Sequence, residues 1–329
     1  MSGVAETNHG STSTAKETTF RSYTREQGEA YAQNRLDYNP HLYQLIVDYH
    51  QSHPQSGKFD TVLDIGCGPG TATRTLAPRF THAIGLDPSE GMITNARSIG
   101  GLSGSSEPIR FEISTAEDLG KDLTEPIPDG SVDLITAATA AHWFDMTGFW
   151  PRAAQVLKPG GTVALWTSGS LTVDPDMPNA TAIQAALDKF LQRLRDYSVG
   201  GNRHAADLYI DLPLPWTLES AVTEFDATTF VRKEWNTPNA TEPGLSFFAE
   251  QRRPVGLDTI EKMMGTMSPV TRWREAHPDA VGTEQDIVRV LRREMESALL
   301  ESGAKTDEEM KLRGRASAVL LMVKKKGQS

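Results

Sequence analysis

Gly66-Cys67-Gly68-Pro69-Gly70 places a glycine at every second position, with a carboxylate just ahead at Asp64 and another further on at Asp87. Glycines at this density let the chain turn tightly and let a ligand lie close on the backbone. The spacing is G-x-G-x-G and not the G-x-G-x-x-G of dinucleotide binders. A pyrophosphate drawn to the start of a following helix would be repelled by Asp64. A ligand with a cationic end and no phosphate escapes that conflict. S-Adenosyl-L-methionine fits this description, since it carries an ammonium, a sulfonium and one carboxylate. Asp64 would attract its ammonium end, and Asp87 would accept from both ribose hydroxyls. Dinucleotide sites share that second acid, so Asp87 alone discriminates little. Cys67 reads as a small loop residue rather than a nucleophile.

Such a loop has to be held between a strand and a helix. Residues 62–65 are a short apolar strand, and a helix over 71–78 follows the loop. A second strand at 83–86 ends in Asp87, ahead of a helix from 89 to about 97. Third and fourth strands are expected at 109–113 and 132–137. A helix over 147–157 then ends at Lys158-Pro159-Gly160-Gly161, and 162–167 is a fifth strand. Strands separated by helices of this length predict βαβ units and a parallel sheet, so the fold class is α/β. Upstream, Leu42, Leu45, Ile46 and Tyr49 fall at helical spacing, and 51–58, with Pro54 and Gly57, reads as a linker.

Beyond Trp166 the alternation breaks. An amphipathic helix is expected over 180–196, a strand over 224–235, a strong helix over 287–300 and a final strand over 316–323. Helical pieces between 247 and 289 are interrupted by Pro254, Pro269 and Pro278. The expected organisation is a disordered tail over 1–19, an N-terminal helical cap segment over 20–58 and a cofactor-binding core over 59–170. The remainder, 171–329, holds cap insertions (171–215 and 245–277) over the sheet's carboxyl edge, with the last two strands and helix completing the core. No internal repeat is visible.

Among 329 residues, 33 Lys and Arg face 43 Asp and Glu, for a net charge of −10. That balance argues against a nucleic-acid binder working through bulk electrostatics, because phosphate neutralisation needs clustered cations. The run Lys324-Lys325-Lys326 reads as a solvated terminal charge cluster. A single cysteine cannot form an intrachain disulfide or a thiolate zinc cage, so a reducing compartment is expected. No stretch reaches the roughly 18–20 apolar residues of a spanning helix, and the N-terminus lacks a signal-peptide layout. The expectation is a soluble, cytoplasmic protein with no membrane partner. No H-E-x-x-H pattern or cysteine pair occurs, and His50 and His53 lie in a linker-like stretch, so no metal is expected. A protein partner is not required, and the oligomeric state is left open.

Five motifs in order resemble the class I S-adenosylmethionine-dependent methyltransferases: the segments 62–71, 85–92, Ala116-Glu117-Asp118-Leu119, 131–136 and Leu157-Lys158-Pro159-Gly160-Gly161. The resemblance implies a Rossmann-like fold with a mainly parallel seven-stranded sheet, bearing a helical cap. It implies that Asp64, Gly66, Gly68 and Gly70 line the methionine end of the cofactor, with Asp87 on the ribose and Pro88 and Met92 near the adenosine. Ala116, Glu117 and Asp118 would flank the adenine, and the backbone of Ala137 would meet the methionine moiety. Within the class, Tyr31-x-x-x-Arg35-x-x-Tyr38 resembles the N-terminal element of a fungal trans-aconitate methyltransferase-like group. So do 138–145, which contain His142-Trp143, and Ser268-x-x-x-Arg272-Trp273. The implied reaction is methyl transfer to a small-molecule acceptor, with S-adenosyl-L-homocysteine as product. An oxygen of a carboxylic acid such as trans-aconitate leads the acceptors. A secondary-metabolite hydroxyl, thiol or carbon, or a catalytically silent regulatory protein of this fold, are the alternatives.

Methyl transfer is an in-line displacement in which positioning and desolvation dominate. A carboxylate, with an ordinary pKa near ~4, needs no base; a phenol near ~10 is about 3 units, roughly 4 kcal/mol, from ionisation at neutral pH. His142 falls at a strand's carboxyl end, where α/β sites form. It would position an acid acceptor or deprotonate a hydroxyl one; a packing histidine beside Trp143 and Phe144 is the other reading. Arg35 is the first candidate clamp for an anionic acceptor and Arg272 the second, because guanidinium matches carboxylate bidentately. Tyr23, Tyr31, Tyr38, Trp143 and Trp273 are candidates for an aromatic wall, although core packing accounts for any single one.

Overall fold

Alternating apolar residues sort the strands' side chains to the two faces of one sheet. The computed structural model describes residues 23–52, 57–242, 246–249 and 254–327. The expected tail over 1–19 and part of the 51–58 linker lie outside them. The chain opens with helices α1 (Arg25–Asn34) and α2 (Pro40–Gln51). Then come β1 (Thr61–Ile65), α3 (Thr71–Leu76), β2 (His82–Asp87), α4 (Glu90–Ile99) and β3 (Arg110–Ile113). They are followed by β4 (Val132–Ala138), α5 (Met146–Val156), β5 (Leu157–Val173), α6 (Ala180–Arg193), α7 (Gly200–Ala206) and β6 (Phe225–Trp235). The last elements are α8 (Leu257–Gly265), α9 (Ser268–Ala276), α10 (Ile287–Glu301) and β7 (Gly314–Lys325).

The seven strands form one sheet in the order β3-β2-β1-β4-β5-β7-β6. β1 to β5 run parallel, and β7 inserts antiparallel between β5 and β6. β1 lies between β2 and β4, so the connections lead away from it in both directions. That reversal opens a crevice at the carboxyl ends of β1 and β4. On one face, Leu63, Ile65, Leu165 and Leu321 pack with Phe149 and Trp150 of α5. On the other, Val62, Leu134, Trp166 and Met322 pack with Leu42 and Ile46 of α2, Leu76 of α3 and Ile93 of α4. A third cluster joins α6, α8 and α10 through residues such as Ile183, Leu187, Met264 and Leu291. No described helix is long and apolar enough to cross a membrane.

The fifth strand differs from expectation. It runs through Val173 rather than stopping at Thr167, because Leu171, Thr172 and Val173 pair antiparallel with Ala316, Arg315 and Gly314. The β5–β7 ribbon therefore rises past the parallel sheet, and 171–173, expected in a helical insertion, is strand. The insertion's first helix, α6, ends at Arg193 and gives way to a short 3-10 turn over Arg195–Tyr197. α1 docks on α4 through Gly91, where a Cβ would come within 2.3 Å of the Tyr23 carbonyl oxygen. Thr24 starts α1 with a capping box closed by Gln27. These contacts set the segment carrying Tyr31 and Arg35 beside the crevice.

Candidate functional site

The glycine loop leaves β1 with Gly66, Gly68 and Gly70 all at positive φ (+62°, +54° and +86°), a conformation that L side chains rarely adopt. At Gly66 a Cβ would also lie 2.5 Å from the Ala140 Cβ, whereas at Gly68 it would meet nothing within 4 Å. Three bonds fasten the loop. Cys67 N donates to Leu86 O at 3.0 Å, Arg74 Nη2 to Pro69 O at 2.7 Å, and Gly68 N to Asp87 Oδ2 at 2.9 Å. Asp87 Oδ1 takes the Ser89 amide, also at 2.9 Å. Burial, with the charges of Asp87 and Asp64, pushes the Cys67 thiol well up, so Cys67 is an inert loop residue.

Above this loop lies a cavity of about 510 Å³, within the roughly 300–1,000 Å³ of small-molecule sites. Of the residues singled out in the sequence, Tyr31, Arg35, Tyr38, Gly66, Gly68, Asp87, Pro88, Met92, Ala116, Glu117, His142 and Trp143 line it. Loop and cavity suit the nucleoside cofactor: the open space at Gly68 admits a ligand against the backbone, Asp87 faces it, and Met92 and Ala116 offer apolar surface.

Seven residues are not brought to the cavity wall. Asp64 is fully buried beneath the loop, accepting from Thr73 Oγ1 at 2.6 Å and Thr136 Oγ1 at 2.7 Å. It props the loop rather than lining the cavity, because its side chain alternates with Leu63 and Ile65 and turns toward α3. Gly70 caps α3 and abuts the Phe111 ring. Asp118 caps a local turn through Thr115 Oγ1, at 2.7 Å. Ala137 is fully buried in β4, and the cavity begins one residue later, with Ala138, Thr139 and Ala140. Tyr23 is buried against α4. Arg272 is a clasp within the cap: its Nε donates to Tyr197 O at 2.6 Å and its Nη2 to Asn202 Oδ1 at 2.6 Å and Ser268 Oγ at 3.2 Å. Trp273 stacks on His277 with centroids 4.4 Å apart. Arg272 as acceptor clamp and Trp273 and Tyr23 as aromatic wall are therefore corrected. Glu117 reaches the wall with a prior commitment, since Asp145 N donates to its Oε1 at 2.8 Å.

Arg35 is exposed beside the cavity with its guanidinium 4.8 Å over the Tyr31 ring, and no described carboxylate pairs with it. Its charge reaches Tyr38 and His142. Tyr38 Oη hydrogen-bonds to Thr139 Oγ1 at 2.8 Å, and its ring sits among Tyr43, Trp166, Phe247 and Phe248.

His142 follows β4 in a short 3-10 turn, its ring tilted against Trp143 at 4.6 Å. Burial first, then the charges of His204 and Arg35, pushes its pKa down to about 3, so the ring is neutral. Nδ1 lies 3.1 Å from Tyr209 Oη. Burial holds the Tyr209 phenol far above its usual range, so it keeps its proton. In the tautomer where Tyr209 donates to Nδ1, Nε2–H is the ring's donor toward a ligand in the cavity. Tyr209 sits at φ +59° after Leu208 at +53°, two adjacent left-handed residues in a segment with no sequence motif. Nothing in the sequence marks it.

The methyltransferase domain family matches residues 63–165. A Dictyostelium discoideum protein assigned as a methyltransferase is 32% identical over 186 residues, covering 56% of this chain and 62% of that one. A Saccharomyces cerevisiae protein assigned as an S-adenosylmethionine-dependent methyltransferase is 25% identical over 247 residues, covering 74% and 79%. A methyltransferase of Pestalotiopsis fici is 30% identical over 141 residues, and the match spans 41% of its length. Among solved structures, an Anaeromyxobacter dehalogenans protein assigned as a type II methyltransferase superposes with a TM-score of 0.58 at 23% identity, covering 89% of this chain and 99% of that one. The fold is thus shared across nearly the whole chain, while the family model matches the segment that holds the glycine loop and its strands. Residues 63–165 thus match the methyltransferase domain family, and the fastened loop with its open cradle suits S-adenosyl-L-methionine as the cofactor.

Proposed function

We propose that the protein transfers a methyl group from S-adenosyl-L-methionine to an oxygen of a small carboxylic acid, with trans-aconitate as the reference acceptor. The observation that carries this reading is Arg35, a cation without a described carboxylate partner, at the same cavity as the glycine loop and Asp87. When bound, the cofactor supplies an electrophilic methyl on a sulfonium. Gly66, Gly68 and Asp87 would hold it, with Met92 and Ala116 against its nucleoside. Arg35 would orient the acceptor carboxylate, and Nε2–H of His142 would hold an acceptor oxygen in place. No residue has to take a proton, since a carboxylate is already ionised. His142 is a poor base for the competing hydroxyl chemistry: from about 3 to a phenol near ~10 is a gap of about 7 units, ~10 kcal/mol. The net charge of −10 and the single cysteine support a cytoplasmic, small-molecule setting.

The direct test is mass spectrometry of acids incubated with the protein and trideuteromethyl-labelled cofactor, followed by mild alkaline hydrolysis. A labelled product that loses its label in alkali is expected; a label that survives would place the methyl on something other than a carboxyl oxygen. Arg35→Ala should raise the acceptor KM by ~10–100-fold, the scale of a lost charge-assisted pair, while cofactor affinity stays within about twofold. Equal losses in both would make Arg35 a structural residue. For His142 the sign of its shift is decisive. A ring that titrates near 3 stays neutral from pH 5 to 9, so kcat should be flat over that range. Tyr209→Phe should raise acceptor KM about tenfold, by freeing the ring to rotate and change tautomer. A kcat that instead rises through pH 6–7 would restore His142 as a base.

A further inference from the structure

The wall of the cavity changes character away from the glycine loop. α6 contributes Leu187 and Leu191, four residues apart on one face, and α8 and the turn after it contribute Met263, Met264 and Met267. Leu187 and Met264 belong to the cap's own apolar core, and Leu191 and Met267 pack on it. The cavity is thus cut into a hydrophobic core at this end, and methionine side chains can repack around apolar ligands of varied shape. The polar groups of the cap in the same wall are already committed. Asn202 Oδ1 accepts from Arg272 at 2.6 Å and from Val199 N at 3.1 Å, and its Nδ2 donates to Ser268 Oγ at 3.1 Å. Ser198 Oγ donates to Leu194 O at 3.0 Å. Among the described lining residues the one cation is Arg35, while His142 is neutral and Asp87 and Glu117 are acids.

This arrangement has one place for a negative charge and an apolar surface for the rest of the molecule. A tricarboxylate would set its further charges against methionine and leucine, where a buried carboxylate without donors is strongly disfavoured. We propose that the acceptor is an amphiphilic monocarboxylate, with its anionic group at Arg35 and an alkyl or aryl body against Leu187, Leu191, Met263, Met264 and Met267. This rests on the carboxyl-methylation reading of the same site and puts a singly charged acid in place of trans-aconitate as the favoured acceptor.

The test is calorimetric titration of the full chain, saturated with S-adenosyl-L-homocysteine, with octanoate and separately with trans-aconitate. Octanoate is expected to bind at least ~10-fold more tightly, given the apolar area it would bury. M263E, which puts a carboxylate in the half-buried part of the wall, should weaken octanoate at least ~10-fold, whereas the volume-conserving M263L should stay within ~3-fold. Both variants should keep the wild-type cofactor-induced rise in melting temperature. Tighter binding of trans-aconitate, binding of neither acid, or indifference to M263E would overturn the inference, and the wild-type comparison decides even if a variant fails to fold. The labelling assay separates the two readings. Octanoate binding selectively without becoming labelled would leave the site chemistry standing and sink carboxyl methylation. Labelled trans-aconitate with untouched octanoate would do the reverse.

Discussion

Asp87→Ala is expected to abolish the rise in melting temperature that S-adenosyl-L-methionine gives the wild-type protein, with cofactor affinity falling at least ~100-fold. A ligand at 100 times its Kd stabilises the folded state by ~2.7 kcal/mol, a shift of a few degrees for a chain of this size. Asp87 is only 8% exposed, and its two oxygens each take one backbone amide, Gly68 N and Ser89 N, both at 2.9 Å. A carboxylate has about four acceptor positions, so it can serve ribose hydroxyls as well as backbone amides. Hydrogen bonds to a charged group contribute ~1.5–3 kcal/mol each, and two of them account for the hundredfold loss. The alanine variant also unfastens the loop at Gly68, where the open cradle lies. Asp87→Asn keeps one acceptor oxygen and should fall between the two. If the alanine variant binds cofactor with wild-type affinity, the ribose contact lies elsewhere.

The glycine loop was legible in the sequence because its chemistry is local. Alternate glycines between an apolar strand and a helix require positive φ whatever surrounds them, and all three have it. The strands were legible for the same reason, through the two-residue alternation that separates Val163 and Leu165 from Ala164 and Trp166. Residues whose role depends on a distant partner were not. Ser268 and Arg272 stand four apart on α9 and looked like part of an acceptor site. Their meaning comes from Tyr197 and Asn202, about seventy residues earlier, which turn the pair into a clasp. Tyr209 reaches His142 from an irregular segment, and Met263, Met264 and Met267 have the composition of ordinary core. Asp64 is the instructive middle case. Its position before the loop suggested a ligand contact, yet the strand's own alternation put it on the face opposite Leu63, toward the α3 hydroxyl it meets.

That burial makes the second large effect a matter of pH. The Asp64 carboxyl is pushed up from 3.8 to about 6, first by burial and further by the charge of Asp87, against the pull of the Thr73 and Thr136 hydroxyls. An acid raised in the folded state holds its proton better folded than unfolded. Its stabilisation is fully present below pH ~4 and is lost as pH rises through about 6. The full difference is roughly 3 kcal/mol, of which ~2 kcal/mol falls between pH 4.5 and 7.5. Chemical denaturation of wild type and Asp64→Asn at those two pH values should therefore show the wild type losing ~2 kcal/mol relative to the variant as pH rises. Parallel pH dependences would mean that the carboxyl ionises freely beneath the loop. A charge kept at such a cost has a use if a cation is to lie above it, because the ligand then relieves the burial penalty as it binds. Cofactor affinity in the wild type should accordingly weaken several-fold as pH falls through 6, and Asp64→Asn should lack that dependence. A variant that binds cofactor as tightly as wild type, with both curves flat, would leave Asp64 as a prop for the loop and nothing more.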